Sequence, residues 1–357
     1  MKKFVHGGNI YEPSPAQGKW LDFSANVNML GLAPSVRTAI EEGVGQVVHY
    51  PDPEARALKQ AISQHYHLPM DQIVLGNGAA ELFYLFFQTI RPRRVLLPVP
   101  SFSEYERAAV AACCQVNYFA LAEDQDFRLD WESFLEAVPA ADCIVLGNPN
   151  NPTGALITHS ELEHLLSELK VGSQWLVVDE SFLDFLSDDS RYTVRDLAAA
   201  YPQLFVVQSL TKFYALPGLR LGFGVAAPEL VQRLEAGKDV WNVNCLAQRA
   251  GAAALADADY QQASRQQLAA AAQQLFTGLA GIAGLRPLNS SVNFILIDIR
   301  GTGRTSTELT ALMRAQGILI RDCANYPGMD GQSYVRTAIR TPAENQRLLN
   351  ALEAVIK

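Results

Sequence analysis

The sequence predicts an α/β protein in which a large domain, built on a mostly parallel sheet, precedes a smaller α/β domain. Between residues 70 and 240, short β-rich runs alternate with longer helical ones, and strands joined by helical crossovers form parallel sheets covered on both faces. After this region a long Ala- and Gln-rich helical run precedes shorter strands and helices. The chain has 357 residues, 49% hydrophobic and 18% charged, which is enough for two globular domains.

Seven β-rich segments are predicted to form the large sheet, and helical patterns fill several of the intervals between them. Helices are predicted at 80–90, 159–169 and 194–200. In sheets of this kind ligands bind at the carboxyl ends of the strands, so a binding site is expected there. The strands are predicted at 73–75, 95–98, 116–119, 143–146, 175–178, 204–208 and 221–225.

Residues 1–45 are predicted to be an arm with one helix, opened by Pro34, which packs near the cleft and the small domain. Turn-rich polar segments around His6 and Asn26 suit this arm to cross the mouth of a cleft. Residues 46–240, with a helix near 54–65, form the large domain, and 241–357 form the small one. In the small domain, elements are predicted at 247–279 (helix), 292–297 (strand), 306–316 (helix), 318–321 (strand), 334–339 (strand) and from 343 (helix).

Composition and charge exclude several classes of function. A net charge of −8 disfavours binding to nucleic acid and to anionic membranes. Because no apolar run is long enough for a signal peptide or a membrane span, we expect a cytoplasmic protein. The odd number of cysteines and the absence of zinc-ligand spacing predict reduced thiols and no metal site, with Cys323 of interest because it falls in a polar motif. The cysteines are Cys113, Cys114, Cys143, Cys245 and Cys323.

A lysine beside phosphate-binding groups follows the sixth predicted strand. Lys212 lies between small hydroxyl residues at Ser209 and Thr211, and Arg220 follows behind a Pro-Gly turn. Two hydroxyls and a guanidinium can hold a phosphate. A partly desolvated lysine near other cations has its ammonium form disfavoured, so that its amine can attack a carbonyl. A phosphate next to a Schiff-base lysine indicates pyridoxal phosphate as the cofactor.

Other loops at predicted strand ends carry the remaining contacts that this cofactor needs. After the first strand a glycine turn leads into a helix, where the backbone N–H groups of Ala79 and Ala80 can bind phosphate. Tyr105, after the second strand, is predicted to place its aromatic face over the cofactor ring. Asn151 can donate to the phenolic oxygen, and Asp179 can pair with a protonated pyridine nitrogen.

Arginines at predicted strand ends of the small domain indicate the charge of the substrate. Each of them alone could be an ordinary surface residue. Together, near a cofactor cleft, they predict an anionic substrate with two or three negative charges. These residues are Arg321, Arg336 and Arg340.

The order of these motifs resembles the fold type I aminotransferase superfamily across essentially the whole chain. The resemblance rests on Asn-Pro-Thr-Gly ending at Gly154, on the strand-end Asp179, on Ser-x-Thr-Lys ending at Lys212, and on Gly-Leu-Arg-Leu-Gly around Arg220. It implies a pyridoxal-phosphate enzyme whose large domain holds a seven-stranded sheet. Two branches compete, the histidinol-phosphate aminotransferases and the threonine-phosphate decarboxylases of the cobalamin pathway.

Several segments look like the decarboxylase branch, among them His-Gly-Gly-Asn from His6 and the runs at 22–28, 210–218 and 320–328. Phe182, three residues after Asp179, is also similar to that branch. The aminotransferases usually carry a tyrosine there, whose hydroxyl bonds the phenolic oxygen, so that here Asn151 alone would serve it. The resemblance implies decarboxylation of L-threonine O-3-phosphate to (R)-1-amino-2-propanol O-2-phosphate for assembly of the cobalamin nucleotide loop.

The resemblance also implies roles for single residues. Lys212 would form the Schiff base and Asp179 would hold the pyridinium. Tyr50 would reach the cofactor phosphate from a partner subunit, which makes the functional unit a homodimer with active sites at the subunit interface. Arg336 would bind the substrate carboxylate and Arg321 its phosphate, and Arg340 is added on charge alone. The cofactor phosphate would be bound by Ala79, Ala80, Ser209 and Arg220, and the substrate by His6, Gly7, Asn26, Asn151, Arg321 and Arg336.

Other substrates and one other class of function stay open. A transaminase and a decarboxylase share their cofactor contacts and differ in which bond at Cα stands perpendicular to the ring, so histidinol-phosphate transamination is an alternative. Serine phosphate lacks one methyl group, which is worth only about 1 kcal/mol of burial, so its decarboxylation is another. A catalytically silent cofactor sensor of this fold would lack the lysine, whereas Lys212 is present.

Overall fold

The computed structural model describes residues 6–15, 18–170 and 173–357. The first five residues of the predicted arm lie outside the described residues. The strands, in chain order, are β1 (Leu21–Asp22), β2 (Ile73–Gly76), β3 (Arg94–Val99), β4 (Gln115–Ala120), β5 (Cys143–Gly147), β6 (Trp175–Asp179), β7 (Leu204–Ser209), β8 (Gly222–Ala226), β9 (Arg286–Pro287), β10 (Phe294–Asp298), β11 (Ile318–Leu319), β12 (Arg321–Asp322) and β13 (Tyr334–Ala338). The α-helices are α1 (Pro34–Gly43), α2 (Arg56–Tyr66), α3 (Ala79–Ile90), α4 (Ser103–Ala111), α5 (Trp131–Ala137), α6 (His159–Glu168), α7 (Pro228–Gly237), α8 (Cys245–Ala256), α9 (Ala258–Ala280), α10 (Ser306–Ala315) and α11 (Pro342–Ile356).

The large sheet has seven strands in the order β2-β8-β7-β6-β5-β3-β4, which confirms the predicted sheet. All neighbouring pairs are parallel except those of β8, which runs antiparallel to β2 and to β7. Every residue of β5 and β7 is buried, because helices cover both faces of the sheet. The carboxyl ends of the parallel strands therefore meet at one edge, where the predicted motifs follow them.

The helices begin where the sequence supplies caps. The side chain of Thr158 accepts a hydrogen bond from the backbone of Glu161 at the start of α6, and the Glu161 carboxylate accepts one in return from the backbone of Thr158, 2.7 Å away. Two predicted helices differ from the structure. The segment predicted at 194–200 is a short 3₁₀ helix, Arg195–Ala199. The single helix predicted at 247–279 is divided into α8 and α9, because Asp257 leaves the helical conformation and caps α9 by accepting from the N–H of Tyr260.

The small sheet is antiparallel, in the order β12-β13-β10-β9. The strand predicted at 318–321 is two short strands, since β11 pairs with β1 of the arm and β12 pairs with β13. β1 and β11 thus form a separate two-stranded parallel sheet, and β11 directly precedes β12 of the small sheet in the chain. The predicted domain boundaries stay predictions; α8, assigned to the small domain, packs against α1 and α2. In the described part of the chain, no helix is both long and apolar enough to cross a membrane.

Candidate active site

A cavity of about 660 Å³ opens at the carboxyl ends of the strands, between the large sheet, the arm and the small sheet. Asp179 ends β6 and Ser209 ends β7, while the loop after β5 brings Asn151 to the same edge. The other side is closed by residues of β12 and β13. The predicted site residues that line the cavity are His6, Gly7, Asn26, Ala79, Ala80, Tyr105, Asn151, Asp179, Ser209, Lys212, Arg220, Arg321 and Arg336.

Lys212 lies in the wall of this cavity, in the turn that follows β7. Its carbonyl accepts a hydrogen bond from the N–H of Asn28, 3.0 Å away, so the arm holds the lysine backbone in place. Burial, with the nearby charges of Arg220 and Arg336, lowers the pKa of Lys212 to about 8, although Asp179 opposes the shift. The amine is therefore available as a nucleophile near neutral pH.

A cradle suited to a phosphate lies beside the lysine. Gly78 precedes α3 with φ +84°, and a Cβ at this position would lie only 2.3 Å from Nη2 of Arg220. The first N–H groups of a helix have no intrahelical acceptor, and those of Ala79 and Ala80 begin α3 directly after this glycine. Ser209 Oγ and Thr211 Oγ1, 2.8 Å apart, add two hydroxyls to the cavity wall. Helix N–H groups, hydroxyls and a guanidinium make a donor set that fits a phosphate.

Asp179 is a buried carboxylate with several donors. Oδ2 accepts a 2.6 Å hydrogen bond from the hydroxyl of Tyr105, and Oδ1 accepts from the N–H and the hydroxyl of Ser181. Burial raises the pKa of Asp179, while these hydrogen bonds and the charge of Lys212 act in the opposite direction. The donors give the carboxylate a fixed orientation, which suits a group that holds a protonated ring nitrogen.

Tyr105 lines the cavity and also contacts Asp179. Its ring is fully buried between Phe83 and Phe102, in edge-to-face contacts with centroid distances of 5.0 Å and 5.6 Å. Its hydroxyl is turned to Asp179, which makes it a support for that carboxylate. Phe102, half-buried in the same cavity, is the aromatic residue that sequence reasoning passed over, although it stands in the same Pro-Ser-Phe-Ser-Glu-Tyr run. The stacking of Tyr105 on a cofactor ring stays a prediction.

Two arginines stand side by side on the small sheet. Arg321 of β12 is the register partner of Arg336 of β13, and each is 5% exposed. Like charges at directly opposed positions of neighbouring strands destabilise a sheet, and burial increases this cost. Burial also lowers the pKa of the Arg336 guanidinium. An anionic ligand in the cavity would offset the repulsion.

Each of these arginines is held by protein groups. Arg321 Nη2 donates to Oδ1 of Asn325 at 2.7 Å, and its guanidinium lies over the ring of Tyr326. Arg336 donates to Oδ1 of Asn151 and, at 2.8 Å, to the carbonyl of Ser24. Among the described residues, buried Nε of Arg336 and buried Oδ1 of Asn26 have no hydrogen-bond partner. Both residues line the cavity and retain the capacity to bind a ligand.

Two predicted site residues do not line the cavity within one chain, and the role predicted for Tyr50 from a partner subunit stays a prediction. Arg340 donates to Glu344 at 2.9 Å and to the carbonyl of Asp22 at 3.2 Å, so its guanidinium is engaged elsewhere. Tyr50 is 77% exposed and stacks on Trp241 with a centroid distance of 4.2 Å. A position at a strand end did not distinguish Arg340 from the cavity arginines, because the direction of the side chain decides the contact.

Cys323 and Phe182 have packing roles. Cys323 is buried and does not line the cavity, and burial raises the pKa of its thiol to about 12, as for an unreactive cysteine. All five cysteines are free thiols, as predicted. Phe182 packs edge-to-face on Phe294 and lines the same cavity as Asn151, and its side chain has no hydroxyl.

The fold and the site are those of an enzyme with a phosphate cradle and a buried lysine at the carboxyl edge of a parallel sheet. The chain belongs to the aminotransferase class I and II family, whose profile matches residues 18–352. The cofactor of this family is pyridoxal phosphate, and one solved structure similar to this chain contains it. The predicted fold class and cofactor are thereby confirmed.

Threonine-phosphate decarboxylases and histidinol-phosphate aminotransferases are both among the proteins similar to this chain. A threonine-phosphate decarboxylase from Salmonella typhimurium is 36% identical over 360 residues, which cover 99% of this chain and 96% of that protein. The structure of histidinol-phosphate aminotransferase from Clostridium acetobutylicum has a TM-score of 0.87 and 32% identity, and covers 94% of this chain and 99% of that one. The structure of L-threonine-O-3-phosphate decarboxylase from Porphyromonas gingivalis has a TM-score of 0.82 and 28% identity, with coverages of 94% and 99%.

Proposed function

We propose that this chain is a pyridoxal-phosphate-dependent carboxy-lyase that decarboxylates L-threonine O-3-phosphate to (R)-1-amino-2-propanol O-2-phosphate, for assembly of the cobalamin nucleotide loop. The 36% identity to the Salmonella decarboxylase, over nearly the full length of both proteins, supports this activity. The structural observation that carries the proposal is the buried pair Arg321 and Arg336, opposed on neighbouring strands in the wall that also holds Lys212. Two such cations match a substrate with a carboxylate and a phosphate.

In the proposed reaction, bound pyridoxal phosphate supplies an aldehyde for the substrate amine and a ring that withdraws electrons from Cα. Lys212 binds the cofactor through its amine, and its ammonium form can return a proton to Cα after carbon dioxide has left. Arg336 orients the carboxylate and Arg321 holds the phosphate, so the substrate is fixed at both ends. Asp179 holds a proton on the ring nitrogen, and its orientation is maintained by Tyr105 and Ser181.

Histidinol-phosphate transamination is the second candidate, and one observation favours it. The aminotransferase from Clostridium acetobutylicum has the higher TM-score of the two structures compared above. The two arginines also fit the two carboxylates of 2-oxoglutarate, the amino acceptor of such a transaminase, so the decarboxylase is placed first on its 36% identity to the Salmonella enzyme. Decarboxylation of serine phosphate to ethanolamine phosphate is a narrower alternative, which differs by one methyl group.

The test uses purified protein with pyridoxal phosphate and three separate substrates. We expect carbon dioxide, without glutamate, from threonine phosphate and a lower kcat/KM with serine phosphate. The same protein is incubated with histidinol phosphate and 2-oxoglutarate. Stoichiometric glutamate there, without carbon dioxide from threonine phosphate, would reject the decarboxylase in favour of the transaminase.

We also propose that the enzyme acts as a cytoplasmic homodimer in which Tyr50 completes the partner's site. The rings of Tyr50 and Trp241 form an exposed aromatic pair, and exposed valines lie near each of them in the sequence. Contiguous exposed apolar groups are typical of an interface. The exposed residues of this surface are Val44, Val47, Val48, Tyr50, Val240 and Trp241.

Mixing two inactive variants tests the shared site. Lys212→Ala and Tyr50→Ala are unfolded together and refolded, so that heterodimers form. If Tyr50 acts across the interface, each heterodimer has one intact site, and about a quarter of the wild-type activity returns for a symmetric dimer. No recovery in a mixture shown to contain heterodimers by mass spectrometry would place Tyr50 outside the partner's site.

A further inference from the structure

Glu104 is a buried carboxylate in the wall of the substrate cavity. It lies on α4 and is 7% exposed, and it lines the same cavity as Arg321 and Arg336. A negative charge there repels an anionic ligand, and burial of a carboxylate without partners is costly. The residue therefore requires partners that account for its presence.

The partners of Glu104 come from three segments. Oε1 is 2.8 Å from Nε2 of His6 and 3.4 Å from Nη1 of Arg107, and Oε2 accepts from the hydroxyl of Tyr84 at 3.5 Å. Burial raises the pKa of Glu104, but the hydrogen bonds and charges of His6 and Arg107 outweigh it and bring the pKa below its usual value. The carboxylate is consequently ionised at neutral pH.

The contact with His6 joins two distant parts of the chain, 98 residues apart. His6 belongs to the arm, and the next residues are packed on Ser24: a Cβ at Gly7 would lie 2.1 Å from its carbonyl oxygen, and the N–H of Gly8 donates to its hydroxyl at 2.8 Å. The same carbonyl of Ser24 accepts from Arg336. Residues 6–8 are thus held at one end by Glu104 and at the other by Ser24, the residue whose carbonyl accepts from Arg336.

We propose that Glu104 is a positioning residue that anchors His6 across the substrate end of the cavity. The inference rests on the proposed function, because His6 is expected to bind the phosphorylated substrate. Glu104 engages Nε2 of His6, which leaves Nδ1 of the ring for a ligand in the cavity. The anchored segment also packs on Ser24, whose carbonyl accepts a hydrogen bond from Arg336. Loss of the anchor therefore weakens substrate binding and leaves the bond-breaking step at Lys212 unchanged.

Kinetics of two Glu104 variants test the anchor. Glu104→Ala is expected to raise KM for threonine phosphate about tenfold and to change kcat less than about twofold, as for loss of one charge-assisted hydrogen bond. Glu104→Gln keeps an acceptor oxygen without the charge, and its KM should lie between that of wild type and that of Glu104→Ala. Glu163→Gln removes a charge at an exposed position of α6 outside the cavity and should keep the wild-type KM.

A double-mutant cycle separates positioning from a general structural effect. His6→Ala should raise KM to a similar extent, and adding Glu104→Ala should then change KM by less than about twofold, because the two residues act as one unit. Additive effects, or a wild-type KM in folded Glu104→Ala, overturn the proposal. Should Glu104→Ala unfold, as judged by its melting transition, Glu104→Gln takes its place in the same cycle under the same criteria.

Hydrogen–deuterium exchange gives a readout that needs no turnover. In the cofactor-bound enzyme without substrate, backbone amides of 6–10 should exchange faster in Glu104→Gln than in wild type or Glu163→Gln. Equal exchange in all three proteins overturns the anchor. If wild-type protein releases no carbon dioxide from threonine phosphate, the proposed function fails, whereas the exchange experiment still decides whether Glu104 holds the arm.

Discussion

The guanidinium of Arg336, on β13 of the small sheet, donates a hydrogen bond to Oδ1 of Asn151, in the loop that follows β5 of the large sheet. A second hydrogen bond from the same guanidinium reaches the carbonyl of Ser24 in the arm. One buried side chain thus joins the three parts of the chain that enclose the cavity. The relative placement of these parts therefore depends in part on Arg336, the residue that we propose binds the substrate carboxylate.

Arg336→Gln is expected to lower kcat/KM for threonine phosphate by roughly 100-fold, on the order of 3 kcal/mol, because a buried charged contact is lost. Cofactor affinity, measured by titration of the visible absorbance, should change little. The matched control is Arg340→Gln, whose arginine is bound to Glu344 outside the cavity and should keep wild-type kinetics. Equal losses in both variants would contradict the assignment of Arg336.

Lys212→Ala should abolish the visible absorbance of the bound cofactor while the far-ultraviolet circular dichroism stays unchanged. The physical reason is that Lys212 supplies the amine in the wall of this cavity. Lys170→Ala, at an exposed position, serves as the control and should retain the absorbance. A wild-type spectrum in Lys212→Ala would remove this lysine from its role.

The pH dependence of cofactor binding follows from the lowered pKa of Lys212, about 8 instead of the usual 10.5. Only the unprotonated amine attacks an aldehyde, so the rate of binding should rise with pH up to about 8 and level off above it. Stopped-flow absorbance at constant ionic strength measures the profile. A rate that keeps rising up to about pH 10 would contradict the shift, since an ordinary lysine titrates there.

Tyr105→Phe removes the donor of the 2.6 Å hydrogen bond to Asp179. Burial already raises the pKa of Asp179, so loss of an opposing hydrogen bond should raise it further. If the ionised carboxylate is required, the acid limb of the kcat profile moves to higher pH, and kcat at neutral pH falls about tenfold. KM should change less than kcat. Tyr201→Phe is the control; an unshifted acid limb in Tyr105→Phe would count against this support.

Gly78→Ala places a Cβ against the guanidinium of Arg220 and strains a residue with φ +84°. We expect the dissociation constant of the cofactor to rise roughly 100-fold, with a loss of about 1 kcal/mol in unfolding free energy. Gly303→Ala has a similar φ, +68°, and no neighbouring atom within 4 Å. It should show the stability loss alone, and a comparable loss of cofactor affinity in this control would refute the steric argument.

Much of the large domain follows from short-range patterns. The segments predicted as strands are the strands of the large sheet, because runs of β-branched and aliphatic residues suit a sheet that is buried on both faces. Loops that follow parallel strands share one edge, so Asn151, Asp179 and Lys212 could be placed in one cavity before any coordinates were known. The break at Asp257 was missed, since the helical pattern continues on both sides of it.

Motif order and strand periodicity, read along the chain, are sufficient to predict the sheet, the cofactor and a lysine suited to bind it, because each strand and each motif is itself a short continuous segment. Three contacts of the site are seen only in the tertiary structure. They are the hydrogen bond from the Tyr105 hydroxyl to Asp179, the pairing of Arg321 with Arg336, and the contact of His6 with Glu104. These depend on side-chain direction and on packing between elements far apart in the chain. Arg340 shows the difference, since it was predicted together with the cavity arginines from its place near a strand, while its guanidinium is bound to Glu344.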